Sequence, residues 1–172
     1  IESVNKRELR KKIGVVLQGG SLISGSIYEN ITLTKPDATM KRVQEVVKSV
    51  GLADDIDNMP MGLHTVLSEN CGTISGGQQQ RILIARAIVS QPKILYFDEA
   101  TSALDNITQS MVCATLEKLD STRVVIAHRL STIIDCDRII VMEAGKIVEE
   151  GTYHQLMEHD GLFHQLALRQ MA

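Results

Sequence analysis

From Asp37 onward the chain takes on a helical rhythm. Val43, Val46, Val47 and Val50 recur at i, i+3, i+4 and i+7, the spacing that sets four side chains on one face of an α-helix. Gly51 follows as a C-terminal cap. Other stretches keep a different period. "KKIGVVLQ" (residues 11–18) is a short apolar run ending in a polar residue, which predicts a buried strand opening into a loop. "KILYFDEA" and "TRVVIAH" are nearly continuous apolar runs, the mark of strands covered on both faces in a parallel sheet. "RIIVMEAGKIVEEG" predicts a hairpin turning at Ala144-Gly145.

Between these runs, "GGSLISGSIYENI" is rich in Gly and Ser and predicts an exposed loop. Residues 53–73 are polar and irregular, with Pro60 and Gly62. A helix is predicted to start near Ser75, run through "QQQRILIARAIVS" and stop at Pro92. "ITQSMVCATLEKL" is predicted helical with Ile107, Met111 and Ala114 on one side, and the tail from His154 to Met171 is predicted helical throughout. Strand and helix alternate, so the fold class is α/β with a parallel sheet core. The expected division is a core over 1–36 and 91–172 and an α-helical subdomain over about 37–90.

Composition narrows the options. A chain of 172 residues is one ordinary domain. Its net charge of −3 comes from 18 basic and 21 acidic residues without a basic patch, which gives nucleic-acid binding no support. No apolar run reaches the ~20 residues of a membrane helix. Cys71, Cys113 and Cys136 are odd in number and far apart. That spacing fits neither a zinc site nor a disulfide framework. His154, His159 and His164 lie five apart, so they do not align on one helix face and are expected to be solvated.

Two stretches carry chemistry. Asp98 and Glu99 follow Ile94, Leu95, Tyr96 and Phe97, at the carboxyl end of a parallel strand where ligands gather. One acid there can hold magnesium beside a nucleotide's phosphates, and its neighbour can orient or deprotonate water. The same pair could instead serve as acids at a helix N-terminus. In "TISGGQQQR" Ser75 is a good N-cap, and Gly76 and Gly77 let backbone N–H groups approach an anion. Gln78 adds an amide at the same edge. The helix start makes this a phosphate surface without a lysine; read alone, it is also an ordinary capped helix.

Together these stretches resemble the ATP-binding cassette ATPases. "ISGGQQQR" resembles the family's signature motif, "ILYFDEATSALD" its Walker B and D-loop, "VVLQ" its Q-loop and "VVIAHRLST" its H-loop, in the family's order and spacing. The resemblance implies a P-loop NTPase-like sheet and the cofactors ATP and Mg2+. It implies that Ser75, Gly76, Gly77 and Gln78 hold the γ-phosphate, Asp98 the metal, and Glu99 the catalytic base. Gln18 is implied to reach metal or attacking water, and His128 to contact the γ-phosphate. Ser102 to Asp105 match the D-loop, which in the family crosses to the partner subunit, and Asp105 joins the nucleotide-contacting set. Glu69 matches an acid that touches a membrane-domain loop.

"SLISGSIYENI", "TVLSENCG" and "EEGTYHQLM" resemble the exporter branch, nearest to exporters of bacterial peptides and bacteriocins. The implied partners are a second ATPase domain, identical or not, and a membrane-spanning domain at the cytoplasmic face of the membrane. Two departures stand out. Ile74 replaces the usual Leu, and Gly19 stands where an acid is commoner. No G-x-x-x-x-G-K-[ST] occurs, so the chain resembles the C-terminal two-thirds of such a domain, expected to be inactive alone. The alternatives are a soluble ABC-type ATPase without a membrane partner, disfavoured by the exporter-like loop, and a binding module that lost catalysis, disfavoured by Asp98, Glu99 and His128.

Overall fold

The computed structural model describes residues 4–67, 74–98, 104–127 and 129–171. In chain order it comprises α1 (Lys6–Lys11), β1 (Ile13–Val16), β2 (Gly25–Ser26), α2 (Ile27–Thr32), α3 (Met40–Ser49), α4 (Ala53–Asp57), a 3-10 turn (Gly62–His64), β3 (Val66–Leu67) and α5 (Gly76–Ile88). Then follow β4 (Ile94–Asp98), α6 (Asn106–Glu117), β5 (Thr122–Ile126), α7 (Leu130–Ile133), β6 (Ile139–Glu143), β7 (Lys146–Gly151), α8 (Tyr153–Glu158) and α9 (Leu162–Met171). Strands β1, β4 and β5 form one sheet in that order, while β2 pairs with β3 and β6 with β7. β1 and β4 run parallel, Ile13 opposite Ile94 and Val16 opposite Phe97. This is the parallel α/β core that the alternation predicts. None of the described helices is long and apolar enough to cross a membrane.

The chain forms two compact units, Ile1–Val124 and Val125–Ala172. In the first, α3 buries the predicted face: Val43, Val46, Val47 and Val50 are at most 5% exposed. Gly51 takes φ +70° and bonds back to the Lys48 carbonyl, ending the helix. α5 buries Ile82, Ile84, Ala85 and Ile88 and packs on β1. A Cβ at Gly14 would lie 2.6 Å from the Ala87 carbonyl oxygen, so only glycine admits that approach. The second unit packs Ile139 and Val141 of β6 against Leu156, Phe163 and Ala167. Its hairpin turns at Ala144 and Gly145, both with positive φ, as predicted.

Four expectations need correction. The loop predicted at 19–31 contains β2 and α2, with Leu22, Ile27, Asn30 and Ile31 buried. Ser26 and Glu29 form a reciprocal capping box that starts this short helix. The irregular stretch after 53 holds α4, the 3-10 turn and β3. The strands are covered on one face only among the described residues: Leu95 and Phe97 are buried, but Val15, Tyr96 and Val124 are 43–48% exposed. α6 is the helix expected, with Ile107, Met111 and Ala114 on one side; that side is exposed, and the buried side is Gln109, Val112 and Leu116. The tail breaks into α8 and α9, because Glu149 Oε1 and Oε2 accept the N–H groups of Leu162 and Phe163 and start a new helix.

Candidate functional site

Ser75 caps α5 from an extended backbone (φ −72°, ψ 159°). Its Oγ accepts the Gln78 N–H at 3.2 Å, and Gln78 Oε1 accepts the Ser75 N–H at 2.9 Å. The box uses two donors of the first turn and leaves those of Gly76 and Gly77 for a ligand. Among the described residues a Cβ on Gly76 would meet nothing within 4 Å, so the space beside the helix start is open to them. Backbone donors and the positive end of a 13-residue helix face that space. The donor set fits a phosphate.

The Gln78 amide does not lie free at this edge. Its Nε2 donates to Asp55 Oδ1 of α4 at 2.7 Å. Asp55 Oδ2 lies 2.9 Å from Arg81 Nη1. Arg81 also donates to the carbonyls of Gly77 and Gly51. Gln78 therefore shapes the helix start from behind. Sequence reasoning missed Asp55 and Arg81, and local pattern holds no signal for them, since Asp55 and Gln78 stand 23 residues apart.

Gln18 and Asp98 sit at the carboxyl ends of neighbouring parallel strands. Val16 of β1 is level with Phe97 of β4, so Asp98 lies one residue past that level and Gln18 two. Gln18 is exposed and Asp98 half-buried. Two oxygen donors at adjacent strand ends suit a hard cation that keeps much of its water. No cluster of three His, Cys, Asp or Glu residues suited to a metal occurs among the described residues.

Asp105 is the N-cap of α6. Its Oδ1 accepts the N–H groups of Ile107 and Thr108, each at 3.0 Å, and its Oδ2 the Thr108 hydroxyl at 2.7 Å. The Thr108 backbone N–H, followed by the Thr108 hydroxyl, holds its carboxyl below the usual carboxylate range. Glu99, His128, Glu69, Ser102 and Cys71 lie outside the described residues.

The profile of a family described as ABC transporter matches residues 1–102. ABC transporter B family member 2 of Dictyostelium discoideum is 45% identical over 173 residues, which is 99% of this chain and 12% of that protein. The leukotoxin translocation ATP-binding protein LktB of Mannheimia glucosida is 49% identical over 166 residues, 93% of this chain and 23% of that protein. A solved structure of a bacterial Atm1-family ABC exporter with ATP bound is similar with a TM-score of 0.94 at 38% identity, covering 100% of this chain and 30% of the exporter. The chain thus spans less than a quarter of these curated relatives.

Proposed function

The chain belongs to the ABC transporter family, and from that premise we propose that it is part of the ATP-binding and hydrolysing domain of an exporter. The observation that carries the proposal is the start of α5, where the Ser75–Gln78 box leaves the Gly76 and Gly77 amides outside its two bonds and the space beside Gly76 is open among the described residues. These amides bind the γ-phosphate of an ATP held mainly by a second ATPase domain, so two such domains close around nucleotide. Ser75 keeps the helix start in shape while its hydroxyl edge lines the phosphate.

Asp98 and Gln18 hold Mg2+, which supplies positive charge that offsets the phosphates. Glu99 orients and deprotonates the attacking water. His128 contacts the γ-phosphate, and Asp105, at the end of the D-loop, anchors that loop on α6. Closing the pair drives a membrane-spanning partner at the cytoplasmic face, with Glu69 as a contact for that partner. Export of a peptide or protein cargo is the reading that the LktB name, leukotoxin translocation, supports best. These 172 residues alone lack G-x-x-x-x-G-K-[ST], whose backbone and lysine hold the β- and γ-phosphates, and they do not hydrolyse ATP by themselves.

The test uses the full-length protein. Glu99→Gln keeps the shape and removes the charge, so nucleotide affinity stays near wild type while steady-state hydrolysis nearly vanishes. Hydrolysis close to wild type in that variant rejects Glu99 as the base.

A further inference from the structure

Asn30 of α2 is 0% exposed, and its amide meets four partners. Oδ1 accepts the Ile23 N–H at 2.9 Å and Arg86 Nη2 at 2.7 Å. Nδ2 donates to the carbonyls of Ile23 and Ser26, each at 3.0 Å. Arg86 of α5 extends the link. Its Nε donates to the Asn30 carbonyl at 2.8 Å and its Nη1 to the Ser21 carbonyl at 3.2 Å. The described partners of this half-buried guanidinium are carbonyl and amide oxygens. Its fixed fork of donors is used here for geometry rather than for charge pairing.

Two more α5 side chains reach the same loop. Gln79 Nε2 donates to the Gly20 carbonyl at 3.0 Å, and a Cβ at Gly20 would come within 3.2 Å of Leu83. Positions 79, 83 and 86 follow the i, i+4, i+7 spacing of one helix face. The loop they hold begins directly after Gln18, at Gly19, whose φ of +65° a residue with a side chain adopts only with strain.

We propose that Asn30 and Arg86 are positioning residues for ATP hydrolysis: they fix the loop after Gln18 to the helix whose N-terminus presents Gly76 and Gly77, so both parts of the site keep one register. The proposal rests on the reading of α5 as the phosphate-binding helix. Neither residue touches nucleotide. Each acts through the loop, and a misplacement of about 1 Å is enough to cost ~100-fold in rate.

The experiment measures steady-state hydrolysis, ATP affinity and thermal melting on the full-length protein carrying Arg86→Gln, Arg86→Lys, Asn30→Leu or Gln79→Ala. Turnover is counted per nucleotide-binding site, so loss of folded protein does not lower it. Expected for Arg86→Gln and Asn30→Leu is a fall in kcat of about tenfold or more with KM within about twofold, the pattern of a lost transition-state alignment. Arg86→Lys keeps the charge without the fork and recovers only part of the rate. Gln79→Ala removes one bond from a half-exposed side chain and lowers kcat severalfold. It therefore tests the proposal even if the buried variants do not fold.

Unchanged turnover per site in every folded variant, with only the melting temperature lowered, overturns the proposal and leaves a purely structural link. Glu99→Gln runs in the same series. If it hydrolyses ATP at the wild-type rate, the functional reading fails. If it is inactive while Arg86→Gln is fully active, only the positioning role fails.

Discussion

Ser75 and Gln78 bond each other twice: Ser75 Oγ accepts the Gln78 N–H, and Gln78 Oε1 accepts the Ser75 N–H. The start of α5, proposed to bind phosphate, is thus built by its own first turn and braced from α4 by Asp55. Ser75→Ala removes the cap and is expected to lower unfolding free energy by about 1 kcal/mol. Urea denaturation of the 172-residue chain reads this directly, and an unchanged midpoint would mean that the box adds nothing.

A second prediction concerns acid. The Ser26 N–H and hydroxyl hold the Glu29 carboxyl low, and the Thr108 N–H and hydroxyl do the same for Asp105. A carboxyl depressed in the folded state contributes stability above its unfolded pKa and loses it as pH falls through the folded value. Stability should therefore drop as pH falls below the ordinary carboxylate range. Glu29→Gln and Asp105→Asn should flatten that drop, and identical pH profiles for variants and wild type would remove these two groups from the account.

The two faces of α6 give a third. Leu116 is 6% exposed and Ile107 80%. Leu116→Ala should cost about 2–5 kcal/mol, and Ile107→Ala should stay within about 0.5 kcal/mol. Equal losses in denaturant melts would mean that the helix is turned differently.

This contrast shows where the sequence was legible. The valines of α3 declared their face because four apolar residues at helical spacing have one buried solution. The hairpin at Ala144-Gly145 and the end of α5 before Pro92 were local rules of the same kind. α6 mixes apolar and polar residues on every side, so its buried face was set by what packs against it, and Gln109 ended up inside. α2 was hidden in a Gly/Ser-rich stretch, although Ser26 and Glu29 stand at the S-x-x-E spacing of a capping box. Around the candidate site, the places of Gln18 and Asp98 at strand ends and of Ser75 as the cap of α5 were legible by motif. Asn30 and Arg86 were not, because their bond joins residues 56 apart. Gln78 was expected to offer its amide at the helix edge, but that amide turns inward to Asp55, a partner that sequence could not name.

The open sheet face carries the fourth prediction. Val15, Tyr96 and Val124 are exposed, and such faces attract partners. The 172-residue chain should self-associate in light scattering and show no measurable ATP binding by calorimetry. A monomer with micromolar ATP affinity would contradict both expectations.

The central claim is that the amides at the start of α5 bind phosphate. Its most direct test is steady-state ATP hydrolysis by full-length protein carrying Gly77→Asp, with folding confirmed by thermal melting. Aspartate sets a side chain and a negative charge where the phosphate oxygens approach the helix start. The account predicts hydrolysis reduced to background in a folded protein. Hydrolysis at the wild-type rate would contradict it.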